Sequence, residues 1–225
     1  MANSRIIRVT GKGNIKVKPD MTRITITLEG CYADYGETLK KSTEDTEALK
    51  TLLNKHGFES SDVKTLSFNV DTKYESYQAY DKSWKQRFVG YEFRHVLKIE
   101  FDSDNDRLGK IMYSLANAEM IRPEFHLSYT VKDREASKNE LLGKAVADAK
   151  AKAAVLIQAA GVTLKDIQSI DYSWGEIDFE ISPMRGNVLM DCCEDGEMLG
   201  KYEMDLEPDD IEVSDTVTVV WEIAS

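Results

Sequence analysis

The chain has 225 residues, 42% of them hydrophobic, with 29 Lys and Arg against 40 Asp and Glu and a formal charge of -11. That is enough for one large domain or two small halves sharing a core, and the acidic balance disfavours nucleic acid and anionic membrane surfaces, both of which select clustered cations. No run of about 18 apolar residues occurs, the N-terminus lacks an apolar signal core, and three cysteines, two of them adjacent, make no disulfide framework; the expectation is a soluble cytoplasmic protein, or a cell-envelope one if an export signal has been removed.

The first stretch, VTGKGNIKVKPD (Val9 to Asp20), carries Gly11-Lys12-Gly13. A phosphate loop needs G-x-x-x-x-G-K-[ST] or G-x-G-x-x-G opening a helix, and here another alternating stretch follows instead. The glycines are therefore read as a bend or bulge within a strand, supplying positive φ, with Pro19 and Asp20 turning the chain. Next, Ile24, Ile26 and Leu28 alternate with Thr25, Thr27 and Glu29, the period of a half-buried strand. Leu39, Ser42, Thr46, Leu49, Leu53 and His56 then repeat at three- and four-residue steps, which predicts a helix over about 36–56 ended by Gly57.

A strand is expected from Val63 to Tyr77, then a polar, aromatic tip SYQAYDKSWKQRF, then a second strand from Val89 to Phe101 with Val89, Tyr91, Phe93, His95, Leu97, Ile99 and Phe101 on one face. Ser103 to Asp106 supplies capping residues for a short helix with Leu108, Ile111, Met112, Leu115 and Ala118 inward. Phe125, Leu127, Tyr129 and Val131 alternate as a further strand. The longest helix spans about 134–160, with Leu142, Ala145, Val146, Ala149, Ala153, Leu156, Ile157 and Ala160 inward, and Gly161 ends it. Strands follow around Ile167 to Ile181 and Glu212 to Ile223.

LLNKHGFESSDVKTLSFNV and VLIQAAGVTLKDIQSIDYSW align at a constant offset of 104, pairing Leu52 with Leu156, Leu53 with Ile157, Gly57 with Gly161, Val63 with Ile167 and Leu66 with Ile170. Two copies of one helix-turn-strand unit imply an α+β protein: a mixed, largely antiparallel sheet packed against two long helices and one short helix. A single domain over 1–225 is expected, with pseudo-repeated halves at about 20–100 and 120–225 and an acidic insertion at about 182–210.

Few residues suggest chemistry. Cys192 and Cys193, flanked by Asp191 and Glu194, are the candidate metal ligands, but adjacent cysteines with no second C-x-x-C or nearby histidine do not complete a tetrahedral set, and neighbouring carboxylates oppose thiolate formation. The surrounding segment carries thirteen acidic residues between Glu176 and Glu212, and a charge run of this kind is read as a solvated insertion. His56, His95 and His126 lack ligand spacing, and the last two are expected to be hydrogen-bonded core histidines. No nucleophile motif appears, so no catalytic residue and no cofactor is assigned. The aromatic tip, Tyr74, Tyr77, Tyr80, Trp84 and Phe88 among Lys82, Lys85 and Arg87, has the composition of an interface, and Tyr77, Tyr80, Trp84 and Phe88 are taken as the interface residues.

In combination, the opening VTGKGNIKVKPDMTRITITLEG, the strand VGYEFRHVLKIEF, the helix ELLGKAVADAKAKAAVLIQAAGV with LKDIQSI, the short ISPM and the closing IEVSDTVTVVWEI resemble the SIMPL-domain family, which includes bacterial stress-associated and immunogenic envelope proteins. The resemblance implies an α+β fold, a tendency of some relatives to form large hollow homo-oligomers, and links to oxidative-stress defence; it brings no catalytic residues. The functional expectation is a non-enzymatic, self-associating protein whose partner is a second copy of itself. The alternative is a metal- or redox-responsive module built on the Cys192–Cys193 insertion.

Overall fold

A computed structural model describes residues 5–172, 177–182 and 206–224. In chain order the elements are β1 (Ile6–Val17), β2 (Met21–Tyr32), α1 (Tyr35–Asn54), β3 (Lys64–Gln78), β4 (Trp84–Asp102), α2 (Asn105–Ala116), β5 (Glu124–Thr130), α3 (Arg134–Ala160), β6 (Thr163–Tyr172), the two-residue β7 (Glu180–Ile181) and β8 (Ile211–Ala224). The α+β reading holds, and the strands divide between two sheets rather than sharing one.

The chain divides into two units. Among the described residues, 5–20, 130–172, 177–181 and 208–224 form one; 21–129, 182 and 206–207 form the other. Each contains the same β-α-β-β motif. In the first unit the order is β1-β8-β6, with α3 leading into β6; in the second, β3-β4-β2 is followed by β5, with α1 leading into β3. The last strand of each motif, β8 or β4, lies between the other two and runs antiparallel to both. The repeat read at an offset of 104 is thus a repeat of topology, and its two glycines share one conformation: Gly57 has φ 80° and Gly161 has φ 66°, the left-handed geometry that only glycine adopts cheaply after a helix.

Three aspartates start the three helices. Asp34 accepts from the amides of Gly36 and Glu37, Asp104 from that of Arg107 and Asp133 from that of Ala136. Each cap satisfies amides that the helix leaves orphaned and contributes about 1 kcal/mol.

In the second unit, α1 and α2 bury Leu49, Leu53, Leu108, Ile111 and Leu115 against Ile24, Ile26 and Leu28 of β2 and Phe93, Leu97, Ile99 and Phe101 of β4. These are the alternating residues anticipated for both strands, and each buried Leu, Ile or Phe contributes about 1.5–3 kcal/mol. β5 departs from its expected one-sided pattern: Ser128 and Tyr129, neighbours on opposite faces, are both buried, while Phe125 is exposed.

In the first unit the buried stripe of α3 is Leu141, Ala145, Ala149 and Ala153, so the inward face is narrower than expected and Leu156 is exposed. Three alanines at four-residue steps lie against Val9, Val217, Val219 and Trp221. Their small size has a counterpart in β1. A Cβ built on Gly11 would lie 2.1 Å from the carbonyl oxygen of Ala145 and 2.3 Å from the nitrogen of Ala149, and one on Gly13 would lie 2.2 Å from the carbonyl oxygen of Leu141.

The expected bulge at these glycines is absent. β1 pairs with β8 in unbroken register from Ile6↔Glu222 to Val17↔Ile211, and neither glycine has positive φ. Helix backbone resting on strand backbone, not a turn, is what demands them. Asp148 of α3 accepts from the Lys12 amide at 2.7 Å and pairs with Lys152 at 2.7 Å, tying the helix to the edge of β1. The turn expected at Pro19 and Asp20 is present, and the Asp20 carboxylate accepts from the Lys132 amide at 2.8 Å.

Substituting Gly11 by Ala should destabilise the protein by about 2–3 kcal/mol, because a backbone-to-backbone contact has no side chain free to yield. Gly143, on α3 with nothing within 4 Å of its would-be Cβ, is the contrast: Gly143→Ala should stabilise by about 0.5–1 kcal/mol through helix propensity. Urea unfolding of both variants measures the difference, and equal effects would refute the close-contact account.

Candidate functional site

Beyond the point where β2 ends, β3 and β4 continue alone. β2 covers β4 over Tyr91–Asp102, whereas β3 pairs with β4 as far as Gln78↔Trp84. The outer part is a two-stranded ribbon closed by a loop at Ala79–Ser83, in which Lys82 has φ 61°. The anticipated tip is therefore shorter than its thirteen residues: most of SYQAYDKSWKQRF is strand. Asp81 braces the loop by accepting from the amide and hydroxyl of Ser83 at 3.0 and 2.5 Å.

The base of the ribbon is a designed-in irregularity of the sheet. Register shifts between Lys73↔Gly90 and Tyr74↔Phe88, leaving Val89 as the extra residue of a bulge. Gly90 sits where β2 gives out, and a Cβ there would lie 2.2 Å from the Tyr32 carbonyl oxygen.

The pairings sort the candidate residues by face, since side chains alternate along a strand. Tyr74 opposes Phe88 and Gln78 opposes Trp84 on one face; Tyr77 opposes Lys85 and Glu75 opposes Arg87 on the other. Tyr80 lies in the loop and is fully exposed, and Trp84 is 73% exposed. The four residues expected at an interface are thus all on the ribbon, but they do not share one face. The Tyr74–Phe88 pair extends instead into a ladder of edge-to-face rings: Tyr74 to Phe88 at 5.7 Å, Phe88 to Tyr91 at 5.4 Å and Tyr91 to Tyr35 at 5.3 Å. Tyr35 was not legible as a member, because it opens α1 and no sequence spacing connects it with β4.

The remaining candidates are less constructed. A groove of about 710 Å³ runs between α1 and α2, floored by Ala48, Leu52, Ala118 and Ile121 and bordered by Glu47, Lys55 and His56. Around Gly11–Gly13, Lys16 is paired with Glu212, Lys144 with Glu140 and Lys152 with Asp148, so three of the four nearby lysines are already engaged. Asp191, Cys192, Cys193 and Glu194, with most of the acidic insertion, lie outside the described residues. Among the described residues there is no cluster of three or more His, Cys, Asp or Glu side chains placed to hold a metal, and no helix long and apolar enough to cross a membrane.

The histidines divide. His95 is buried as expected, with Nδ1 3.0 Å from the Thr46 hydroxyl and Nε2 2.9 Å from that of Thr65. Thr46 donates its single proton to the Ser42 carbonyl at 2.7 Å, so it accepts from Nδ1–H, and Nε2 accepts from Thr65. That assigns the neutral Nδ1–H tautomer. Burial, reinforced by the Lys50 charge, pushes this imidazole below its ordinary range. His56 is lowered too, by burial and then by Arg107, Lys110 and Lys55; its Nε2 is 2.8 Å from the Ser114 hydroxyl. His126 is a correction: it is exposed, with Nε2 3.0 Å from the Ser182 hydroxyl, because β5 does not present it to the core.

Fold and ribbon together define a protein of two β-α-β-β units, one of which carries a two-stranded aromatic ribbon. The model of the SIMPL family, described as a protein of unknown function (DUF541), matches residues 7–221, and the chain belongs to that family. No curated protein matches it. Among solved structures, the regulatory subunit of aspartate kinase from Thermus flavus is 11% identical over 96% of this chain and 90% of that chain, with a TM-score of 0.16, a likeness too weak to bear on fold or function.

His95 and His56 bind protons less readily folded than unfolded, where the ordinary value is about 6.5. Their contribution to stability is therefore complete above about pH 6.5 and is lost as pH falls from there toward the folded values. The urea midpoint should fall between pH 7.5 and pH 5, a window that leaves most carboxylates ionised, and His95→Gln should flatten part of that slope. A slope unchanged by the substitution would exclude His95 as a source.

Proposed function

We propose that this SIMPL-domain protein is a non-enzymatic, self-associating scaffold, assembled through the β3–β4 ribbon and acting without a cofactor. One observation carries the reading. A two-stranded ribbon open to water on both faces is marginal by itself, yet this one holds Tyr74, Trp84 and Phe88 on one face and Tyr77 on the other, all exposed. Rigid aromatic rings of this kind gain most when a partner desolvates them.

A second copy is the partner proposed. Two ribbons in an isologous contact would bury the Tyr74–Phe88–Trp84 faces against each other, while the Arg87–Glu75 pair on the opposite face keeps that face charged. The net charge of -11 opposes indiscriminate aggregation by long-range repulsion. A role in oxidative-stress defence, which the family resemblance suggests, would make such an assembly a stress-associated one; the ribbon supplies its means of assembly and no chemistry.

Light scattering after gel filtration at micromolar concentration should give a mass above that of one chain. Trp84→Ala combined with Phe88→Ala should return it to a folded monomer with an unchanged circular dichroism spectrum. A monomeric parent protein, or an assembly indifferent to both substitutions, would defeat the proposal.

A further inference from the structure

The two β-α-β-β units differ in what covers them. In the second unit, β4 is followed after two residues by α2, and α2 covers the place where α1 ends and β3 begins. Leu53, Phe58 and Val63 are buried there, 0%, 3% and 7% exposed, in one cluster with Leu108, Ile111 and Leu115 of α2. The first unit has no counterpart of α2 among the described residues.

Its matching surface is uncovered. At the constant offset of 104, Val63 corresponds to Ile167, 52% exposed, and Leu52, which packs against the α2 cluster, corresponds to Leu156, 50% exposed. Phe58 and Leu53 correspond to Val162 and Ile157, both only half-buried. Beside them, where the second unit has Thr51, the first has Val155, 67% exposed. The face that α2 covers in one unit is at least as apolar in the other and lies open to water.

The second unit also shows what such a face binds. α2 presents Leu108, Ile111 and Leu115 at i, i+3 and i+7, the stripe of an amphipathic helix. Just before that stripe, Arg107 donates to the His56 carbonyl at 3.1 Å and places its guanidinium 4.3 Å from the Phe58 ring centroid. It brings a cation to the partly negative end of α1, whose own last turn has no basic residue. The last turn of α3 likewise has none, so the same charge complementarity is on offer in the first unit.

The geometry points to a docking site on the first unit, at Val155, Leu156, Ile157, Val162 and Ile167, for an amphipathic helix of a partner protein that carries apolar residues at i, i+3 and i+7 and an Arg or Lys immediately before the first of them. This site is separate from the ribbon and does not depend on self-association. Recognition is of the helix-in-groove kind, with the α3 terminus selecting a basic first turn and the apolar patch selecting the stripe.

The probe is at hand in the chain itself: a fluorescent peptide of residues 103–118, titrated with the full-length protein and followed by anisotropy. Saturable binding is expected. It should weaken roughly tenfold or more when the peptide's Leu108, Ile111 and Leu115 become Ala, and several-fold when its Arg107 becomes Gln. On the protein, Leu156→Glu with Ile167→Glu should weaken binding as strongly, and both sites are exposed enough for an unchanged circular dichroism spectrum to confirm folding. Absence of saturable binding would overturn the proposal. So would binding unaffected by the paired Glu substitutions, since the peptide would then be exchanging with α2 in the second unit. A parent protein whose assembly is broken by those substitutions, while the ribbon variant Trp84→Ala leaves it whole, would also overturn it, because the occupant would then be a second copy.

Discussion

The backbone of α3 rests on the backbone of β1, and the first unit is organised around that contact. Gly11 and Gly13 remove two side chains from the strand, and Ala145 and Ala149 reduce the helix to methyl groups, so carbonyl oxygens of Leu141 and Ala145 come within about 2 Å of where a Cβ would stand. Close approach alone buries little area. Its value is positional: with the helix this near the strand, Val9, Val217, Val219 and Trp221 close over the alanine stripe, and Ile15, Val131, Leu141, Phe179 and Ile211 complete the core at its other end. A larger residue at either glycine would lift the helix and open both clusters, since interiors at crystal-like density do not absorb such shifts.

The second unit solves the same problem differently. The buried stripe of α1 is mixed, with Thr38 and Ser42 in its first half and Leu49 and Leu53 in its second, the leucines in one cluster with Ile24, Ile26, Phe93 and Leu97. α2 adds Leu108, Ile111 and Leu115 to that cluster. One topology is thus packed in two ways, by an alanine stripe against β1 and β8 in the first unit and by leucines of α1 and α2 against β2 and β4 in the second.

Much of this was legible in the residues. The two-residue alternation of β2 and β4, the steps of α2, the bounds of α3 and the glycine after each long helix all follow from period and capping chemistry, and they hold; the steps of α1 hold at Ser42, Leu49 and Leu53, whereas Leu39 is exposed and Thr38 is buried instead. What failed did so for reasons of tertiary contact. Gly11 and Gly13 read as a bend because a glycine pair between strand residues usually marks backbone geometry; the helix that requires them lies over a hundred residues away. Leu156 continues the apolar period of α3 yet is exposed, because no described element covers it as α2 covers Leu52. His126 alternates with Phe125 and Leu127, so it lies off the apolar face of β5, and it faces water with its neighbours Glu124 and Phe125 because only the far end of the strand, Ser128 to Thr130, is buried. For the candidate interface, the aromatic residues were legible as a group, but their division between two faces needed the bulge at Val89, and the ladder needed Tyr35.

The ribbon follows from where β2 stops. Tyr32 is the last residue of β2 to pair with β4, and its carbonyl oxygen occupies the space a side chain at position 90 would need. Gly90 therefore lets β2 and β4 stay paired to the very end of β2, and the bulge one residue earlier turns the free part of the hairpin away from the register of the sheet. The apolar content of the free part is then the reverse of what solubility alone would select. Edge strands exposed to water are normally guarded by charge and brevity, yet β3 runs for 15 residues with Tyr74 and Tyr77 near its outer end. The ion pairs Lys73–Glu92 and Arg87–Glu75 guard the base and flank of the ribbon, while Trp84 and Tyr80 at its end have no such guard. Burial against a second copy, as proposed above, would give those rings a physical reason to be there.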